Sequence, residues 1–172
     1  MIIKTFGGKK EKFKIRPINK NDKEWVRNFI IKNWGTEKVV AHGKIFYPHK
    51  LSGFIAFKEN KYLGLLTYYI KRKELEIITM NSLVRGRGIG SALLKVVEKI
   101  AHKFKCKKIW LITTNDNIDA LRFYQMRGFS IVAIHRNAIK ISRKLKPEIP
   151  LIGNYGIPIR DEIELEKAIK SF

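Results

Sequence analysis

A glycine-rich turn between a strand pattern and a helix pattern constrains this chain more than any other feature. Residues 74–94 read ELEIITMNSLVRGRGIGSALL. Leu75, Ile77, Ile78 and Met80 make an apolar run suited to a buried strand, and a helical pattern begins at Ser91. Between them lie Arg85, Gly86, Arg87, Gly88, Ile89 and Gly90. Glycines let backbone N–H groups approach an anion closely, and a helix start adds unpaired donors and the positive end of its dipole. The run lacks the final Gly-Lys-Ser/Thr of a nucleotide loop, and it lacks a dinucleotide fingerprint with an acidic residue about 20 positions on. Taken alone, the turn reads as an anion cradle, with a tight closure of a strand–helix junction as the alternative.

The rest of the chain alternates short strand and helix patterns. Residues 1–10 end in GGKK and suggest a loose or edge segment; residues 13–18 alternate apolar and basic, as a half-buried strand does. Asn19, Asn21 and Asp22 offer caps to a helix with Trp25, Val26, Phe29, Ile30 and Trp34 on one face, stopped by Gly35. Residues 36–50 show no period and carry His42 and His49. Residues 53–57 and 62–70 are two strands of a hairpin that leads into the strand before the turn. Residues 91–103 are the helix after it, 108–114 an interior strand, 117–126 a short helix closed by Gly128, and 129–134 a further strand. In the tail, 137–145 fits a helix, a Pro/Gly-rich loop follows, and 157–165 returns as a last strand. With 172 residues, no repeats and no linker, residues 1–172 are expected to form one domain, of which 135–172 is the least regular part.

Composition excludes several classes. A 45% hydrophobic content with ten Phe and three Trp suits a folded protein rather than a disordered one. The lone Cys106 forms no intrachain disulfide and fits a reducing compartment. No run approaches the ~18 apolar residues of a membrane helix, and the first residues lack a signal-peptide layout, so a cytoplasmic location without membrane association is expected. The net charge of +21 comes from 36 Lys and Arg against 15 Asp and Glu. A nucleic-acid partner is one reading, but the cations are spread along the whole chain rather than gathered on one element. No metal-ligand spacing is present.

A second motif gives the first one its meaning. Residues 112–129 read ITTNDNIDALRFYQMRGF, with Asn117, Ala120, Phe123 and Tyr124 followed by Gly128 and Phe129. This Asn-x-x-Ala-x-x-Phe-Tyr…Gly-Phe pattern, one strand–helix unit after the Arg-x-x-Gly-x-Gly of Arg85, Gly88 and Gly90, resembles the two cofactor motifs of the GNAT superfamily of N-acetyltransferases. The similarity covers residues 75–129 and implies an α/β fold: a mixed, mostly antiparallel sheet of six to seven strands flanked by helices, with a splayed strand pair holding acetyl-CoA. It implies an acetyltransferase moving acetyl from acetyl-CoA to a primary amine by direct attack, on a small molecule or a peptide, in a monomer or homodimer. The alternative is a basic nucleic-acid-binding or coenzyme-A-sensing module on the same fold.

The resemblance carries site roles with it. Ile78, Thr79 and Met80 would line the pantetheine arm. The turn from Arg85 through Gly86, Arg87, Gly88, Ile89 and Gly90 to Ser91 would hold the pyrophosphate. Asn117, Ala120 and Phe123 belong to the second motif, with Asn117 toward the pantetheine or acetyl end. Tyr124 matches the position of the general acid, which the departing thiolate asks for; a packed tyrosine is the plainer reading. Residues of the strand itself suggest the base: Glu74 and Glu76 share one face, and a carboxylate in an apolar strand needs a partner or a task. Glu76 is the preferred base or substrate anchor, against a simple ion pair with a lysine. His135 is a second choice, ahead of His42 and His49. The tail resembles one bacterial and archaeal branch of the family with similar KPEIP and GIPIRDEIELE endings, and Asn154, Tyr155 and Arg160 are expected on the acceptor side, unless the loop is a strap over the sheet edge or a dimer contact.

Overall fold

The computed structural model describes residues 4–6 and 12–169. An eight-stranded sheet runs in the order β1-β2-β5-β6-β7-β8-β10-β9. Its strands are β1 (Lys4–Phe6), β2 (Phe13–Pro17), β5 (Ser52–Lys58), β6 (Lys61–Lys71), β7 (Glu74–Ser82), β8 (Lys108–Thr114), β9 (Ser130–His135) and β10 (Glu162–Ala168). Every neighbouring pair is antiparallel except β7–β8, which the helix α2 (Ile89–Lys103) connects as a parallel crossover. The count exceeds the expected six to seven because Lys4–Phe6 adds a short edge strand to β2; the remainder of residues 1–10 lies outside the described residues.

Alternation within the strands sorts side chains onto two cores. On β5 and β6, Phe54, Ala56 and Leu66 join Leu75, Ile77 and the α2 residues Leu93, Leu94 and Val97 on one face. Ile55 and Leu65 point the other way and pack under α1 (Lys23–Trp34), against Val26, Phe29 and Ile30. α3 (Ile118–Gln125) lies on the α2 face, through Tyr124 and Leu121. α4 (Ala138–Leu145) connects β9 to the tail. Helix ends follow their sequence signals: Asn19 caps the turn before α1 with a reciprocal Asn19–Asp22 capping box, and Gly35 ends α1 at φ +79°.

Two readings from the sequence are corrected. Residues 36–50 contain a hairpin, β3 (Val39–Ala41) with β4 (Lys44–Phe46), whose strands are too short to show a period. The last strand starts at Glu162 rather than near residue 157. Residues 157–161 are taken up by the tail loop, where Ile159 N–H donates to Leu151 C=O at 2.9 Å and Asn115 receives the N–H groups of Arg160 and Asp161.

Candidate active site

The strands β7 and β8 pair over only four positions, Glu74–Lys108 through Ile77–Leu111. Beyond them β7 continues to Ser82 against β6, while β8 continues to Thr114 against β10. From Ile78 and Ile112 onward the two strands diverge, leaving an edge of β7 with unpaired backbone groups. The register of β7 on β6 also slips between Thr67 and Tyr68, which makes Ile78 the extra residue of a β-bulge. Strict alternation from Glu76 would turn Met80 to Glu76's face. The bulge reverses this, placing Met80 with Leu75 and Ile77 on the α2 face and Thr79 on the α1 face, where its hydroxyl meets that of Thr67 at 2.7 Å.

Met80 therefore faces Tyr124. The phenol is buried at 5% exposure, and its oxygen lies 3.8 Å from Met80 Sδ, a weak acceptor. Burial pushes the phenol well above its ordinary range, so it remains a protonated donor. Phe123 and Phe129 wedge the ring edge-on, with centroids 5.2 and 5.3 Å away. Asn117 has a structural job: it caps α3, accepting from Ala120 N–H at 3.3 Å and donating to Thr113 Oγ at 3.1 Å.

The glycine turn leaves the start of α2 open. Gly88 is the N-cap of α2 at φ +72° and offers no capping side chain, so the first-turn N–H groups of α2 have no side-chain acceptor. Arg85, Gly86, Arg87 and Gly88 are exposed, while Ile89 and Gly90 are buried. A Cβ at Gly90 would stand 3.2 Å from the Phe123 ring, so this glycine serves the close approach of α2 to α3. Beside the turn sits a residue the sequence did not single out. Arg127 donates to Ser91 Oγ at 2.7 Å and to Phe123 C=O at 2.7 Å, with its guanidinium 3.6 Å from the Phe123 ring centre. It joins the two motifs, but one arginine among so many cations carries no sequence signal.

The opposite face of the split holds the carboxylates. Glu76 is 5% exposed, and its Oε1 lies 2.7 Å from His42 Nε2. His42 sits in the turn of the β3–β4 hairpin at φ +41°; its backbone N–H donates to Glu162 Oε2 at 3.1 Å, and Glu162 in turn accepts from Ser142 Oγ. The His42 ring lies 5.6 Å from Phe46 and 5.3 Å from Trp110. These groups line an open cleft of about 770 Å³ that also takes in Tyr69 and Glu74. The sequence ranked His42 behind His135, because a three-residue strand on each side of His42-Gly43 gives no pattern to place it.

The structure does not bring the remaining predicted residues here. His135 is on the outer strand β9, exposed, with its Nε2 3.0 Å from Glu164. Asn154 donates its N–H and its side-chain amide to Asp116 Oδ2, both at 2.9 Å, at the start of α3. Tyr155 is 70% exposed, and Asp119 pushes its phenol up. Arg160 pairs with Asp161 at 2.8 Å. The tail loop is thus sewn to the β8–α3 connection, instead of to the Glu76 cleft. From the tail, the cleft receives Leu145. Cys106 is buried in the core on the α2 face, and burial pushes its thiol up.

The sequence profile described as "Acetyltransferase (GNAT) family" matches residues 19–129, well over half of the chain. The chain belongs to the GNAT acetyltransferase family. Uncharacterized protein YdhI of Bacillus subtilis (strain 168) is 44% identical over 156 residues, covering 90% of this chain and 98% of that protein. A Bacillus subtilis spermine/spermidine N(1)-acetyltransferase is 31% identical over 91 residues, which is 49% of this chain and 56% of its own length. Among solved structures, a GNAT family acetyltransferase from Elizabethkingia anophelis with acetyl-CoA bound superposes with a TM-score of 0.64 at 23% identity, covering 91% of this chain and 97% of that one. Tyr124 belongs to the core on the α2 face of the sheet, and Glu76 and His42 line the cleft.

Proposed function

We propose that this GNAT protein transfers an acetyl group from acetyl-CoA to a primary amine by direct attack. The observation that supports it is the arrangement across the split of β7 and β8: a buried phenol on one face and, on the other, a buried carboxylate held by a half-buried imidazole. The residues fit the cofactor. The diverging edge from Ile78 to Met80 offers backbone partners to a pantetheine arm, and the uncapped first turn of α2 with Arg85 and Arg87 offers positive charge to a pyrophosphate. Acetyl-CoA supplies a thioester whose acetyl carbon bonds to the amine nitrogen while the carbon–sulfur bond breaks.

Each protein group then has one proton to handle. Glu76, held by His42, takes the proton that the attacking ammonium must lose. Tyr124, whose hydroxyl lies against Met80 on the strand that the pantetheine arm would follow, would donate a hydrogen bond to the departing sulfur. A phenol this reluctant to ionise would stabilise the thiolate as a hydrogen-bond donor and keep its own proton; the second nitrogen proton, released once the carbon–nitrogen bond has formed, passes through water to the sulfur. Asn117 acts by holding the start of α3, and so the aim of Tyr124.

Ligand linkage tests the cofactor half. At about a hundred times its dissociation constant, acetyl-CoA should raise the melting temperature by roughly 5–10 °C. Gly88→Glu places a like charge and a strained φ in the cradle and should abolish that rise. An undiminished rise in the variant would remove the turn from the site.

A further inference from the structure

The cleft on the Glu76 face is graded in charge along its length. At its floor lie Glu76 and His42, walled by Phe46, Tyr69 and Trp110. One step outward on the same face, where Lys71 pairs with Glu74 across the β6–β7 hairpin, the lining turns basic: Lys44, Lys71 and Arg72 border the opening, and all three are exposed. Arg72 is fixed in the hairpin turn at φ +50°. Glu74 does not reverse this sign. It stands opposite both Lys71 and Lys108, and Lys108 also ion-pairs Glu166 at 2.7 Å. Two residues of strand separate the Glu76 level from the Glu74 level, about 7 Å.

We infer that the acceptor is a primary amine carrying an anionic group about 7 Å from its nitrogen, of the ω-amino-acid type, with the ammonium at Glu76–His42 and the anion between Lys44, Lys71 and Arg72. The inference rests on the acetyltransferase reading above and adds the chemical class of the acceptor. Aromatic walls suit either end of the molecule, since they flank a cation favourably and cover the alkyl chain between the charges. A polyamine meets the same floor but would set its second ammonium against three cations, a like-charge juxtaposition that disfavours binding. Part-length similarity to a spermine/spermidine acetyltransferase therefore does not extend to the acceptor.

Three amines of matched length separate the possibilities: ε-aminocaproate, cadaverine and n-hexylamine, each followed by thiol release from acetyl-CoA. The inference expects ε-aminocaproate to have the highest kcat/KM, cadaverine the lowest, and the advantage to shrink as salt is raised. The double variant Lys71→Glu/Arg72→Glu should shift the ε-aminocaproate to cadaverine ratio by roughly tenfold or more toward cadaverine, while the melting rise with acetyl-CoA is unchanged. Cadaverine as the best wild-type substrate, or a ratio unmoved in the variant, would overturn the inference and leave the acetyltransferase reading standing. No amine-dependent thiol release from any of the three, with a normal acetyl-CoA melting rise, would overturn the inference as well. Loss of the melting rise in the wild type would instead remove the reading on which it rests.

Discussion

The Asp22 carboxylate is 2% exposed, yet four donors converge on it: two Arg16 nitrogens at 2.6 and 2.8 Å, Tyr62 hydroxyl at 3.0 Å and Asn19 N–H at 2.8 Å. The Arg16 hydrogen bonds, above all, hold its carboxyl below the usual range. Because the folded-state value is depressed, the stabilisation is complete above the unfolded carboxyl pKa of about 3.9 and is lost as pH falls through the lower folded value. Asp22→Asn breaks a buried pair and should cost about 3 kcal/mol at neutral pH. Melting curves below about pH 4 should then fall less steeply for the variant than for the wild type. At this scale the sequence was informative wherever a residue was out of place. Glu76 in an apolar strand demanded a partner, and it has one. The identity of that partner was hidden, because His42 reaches it across 34 positions from a hairpin without a periodic signature.

Elements carried more information than residues did. β7, α2, β8 and α3 were legible because strand and helix periods, the glycine turn and the Gly128 stop agreed with one another. The bulge at Ile78 was not legible: nothing in ELEIITMNS marks the register slip that moves Met80 to Tyr124's face. Nor was the destination of the tail. Its Pro and Gly residues announced a loop, but the loop is placed by Asn115 and Asp116, two polar residues that look like ordinary turn formers. Asn115 receives Arg160 and Asp161 N–H and donates to Pro158 C=O, and Asp116 holds both donors of Asn154. Asp116→Ala should therefore free the loop at a cost of about 1–3 kcal/mol. Hydrogen exchange should rise at residues 151–158 and stay unchanged in α1. Uniform protection in both would contradict the assigned anchor.

At the scale of the whole molecule, the cations behind the charge of +21 are spread along the whole chain. Among the described residues, several acids are paired, as in Glu98–Lys167, Glu37–Arg27 and Glu166–Lys108, so the surplus is mainly unpaired cation. Such a field concentrates anionic ligands at the protein and is screened by salt. Raising KCl from about 0.05 to about 0.5 M should lower kcat/KM for acetyl-CoA by roughly fivefold or more, with kcat nearly constant. The field also bears on the base proposed above: a carboxylate at the surface would be paired by the nearest lysine, whereas Glu76 is buried.

The central claim is that the two faces of the β7–β8 split divide the work, with Tyr124 at the sulfur and Glu76 at the amine. Amine-dependent thiol release from acetyl-CoA, compared among the wild type, Tyr124→Phe and Glu76→Gln, tests it most directly. The account predicts that each variant loses about a hundredfold or more in kcat while keeping the melting rise with acetyl-CoA. Full turnover in either variant would contradict it.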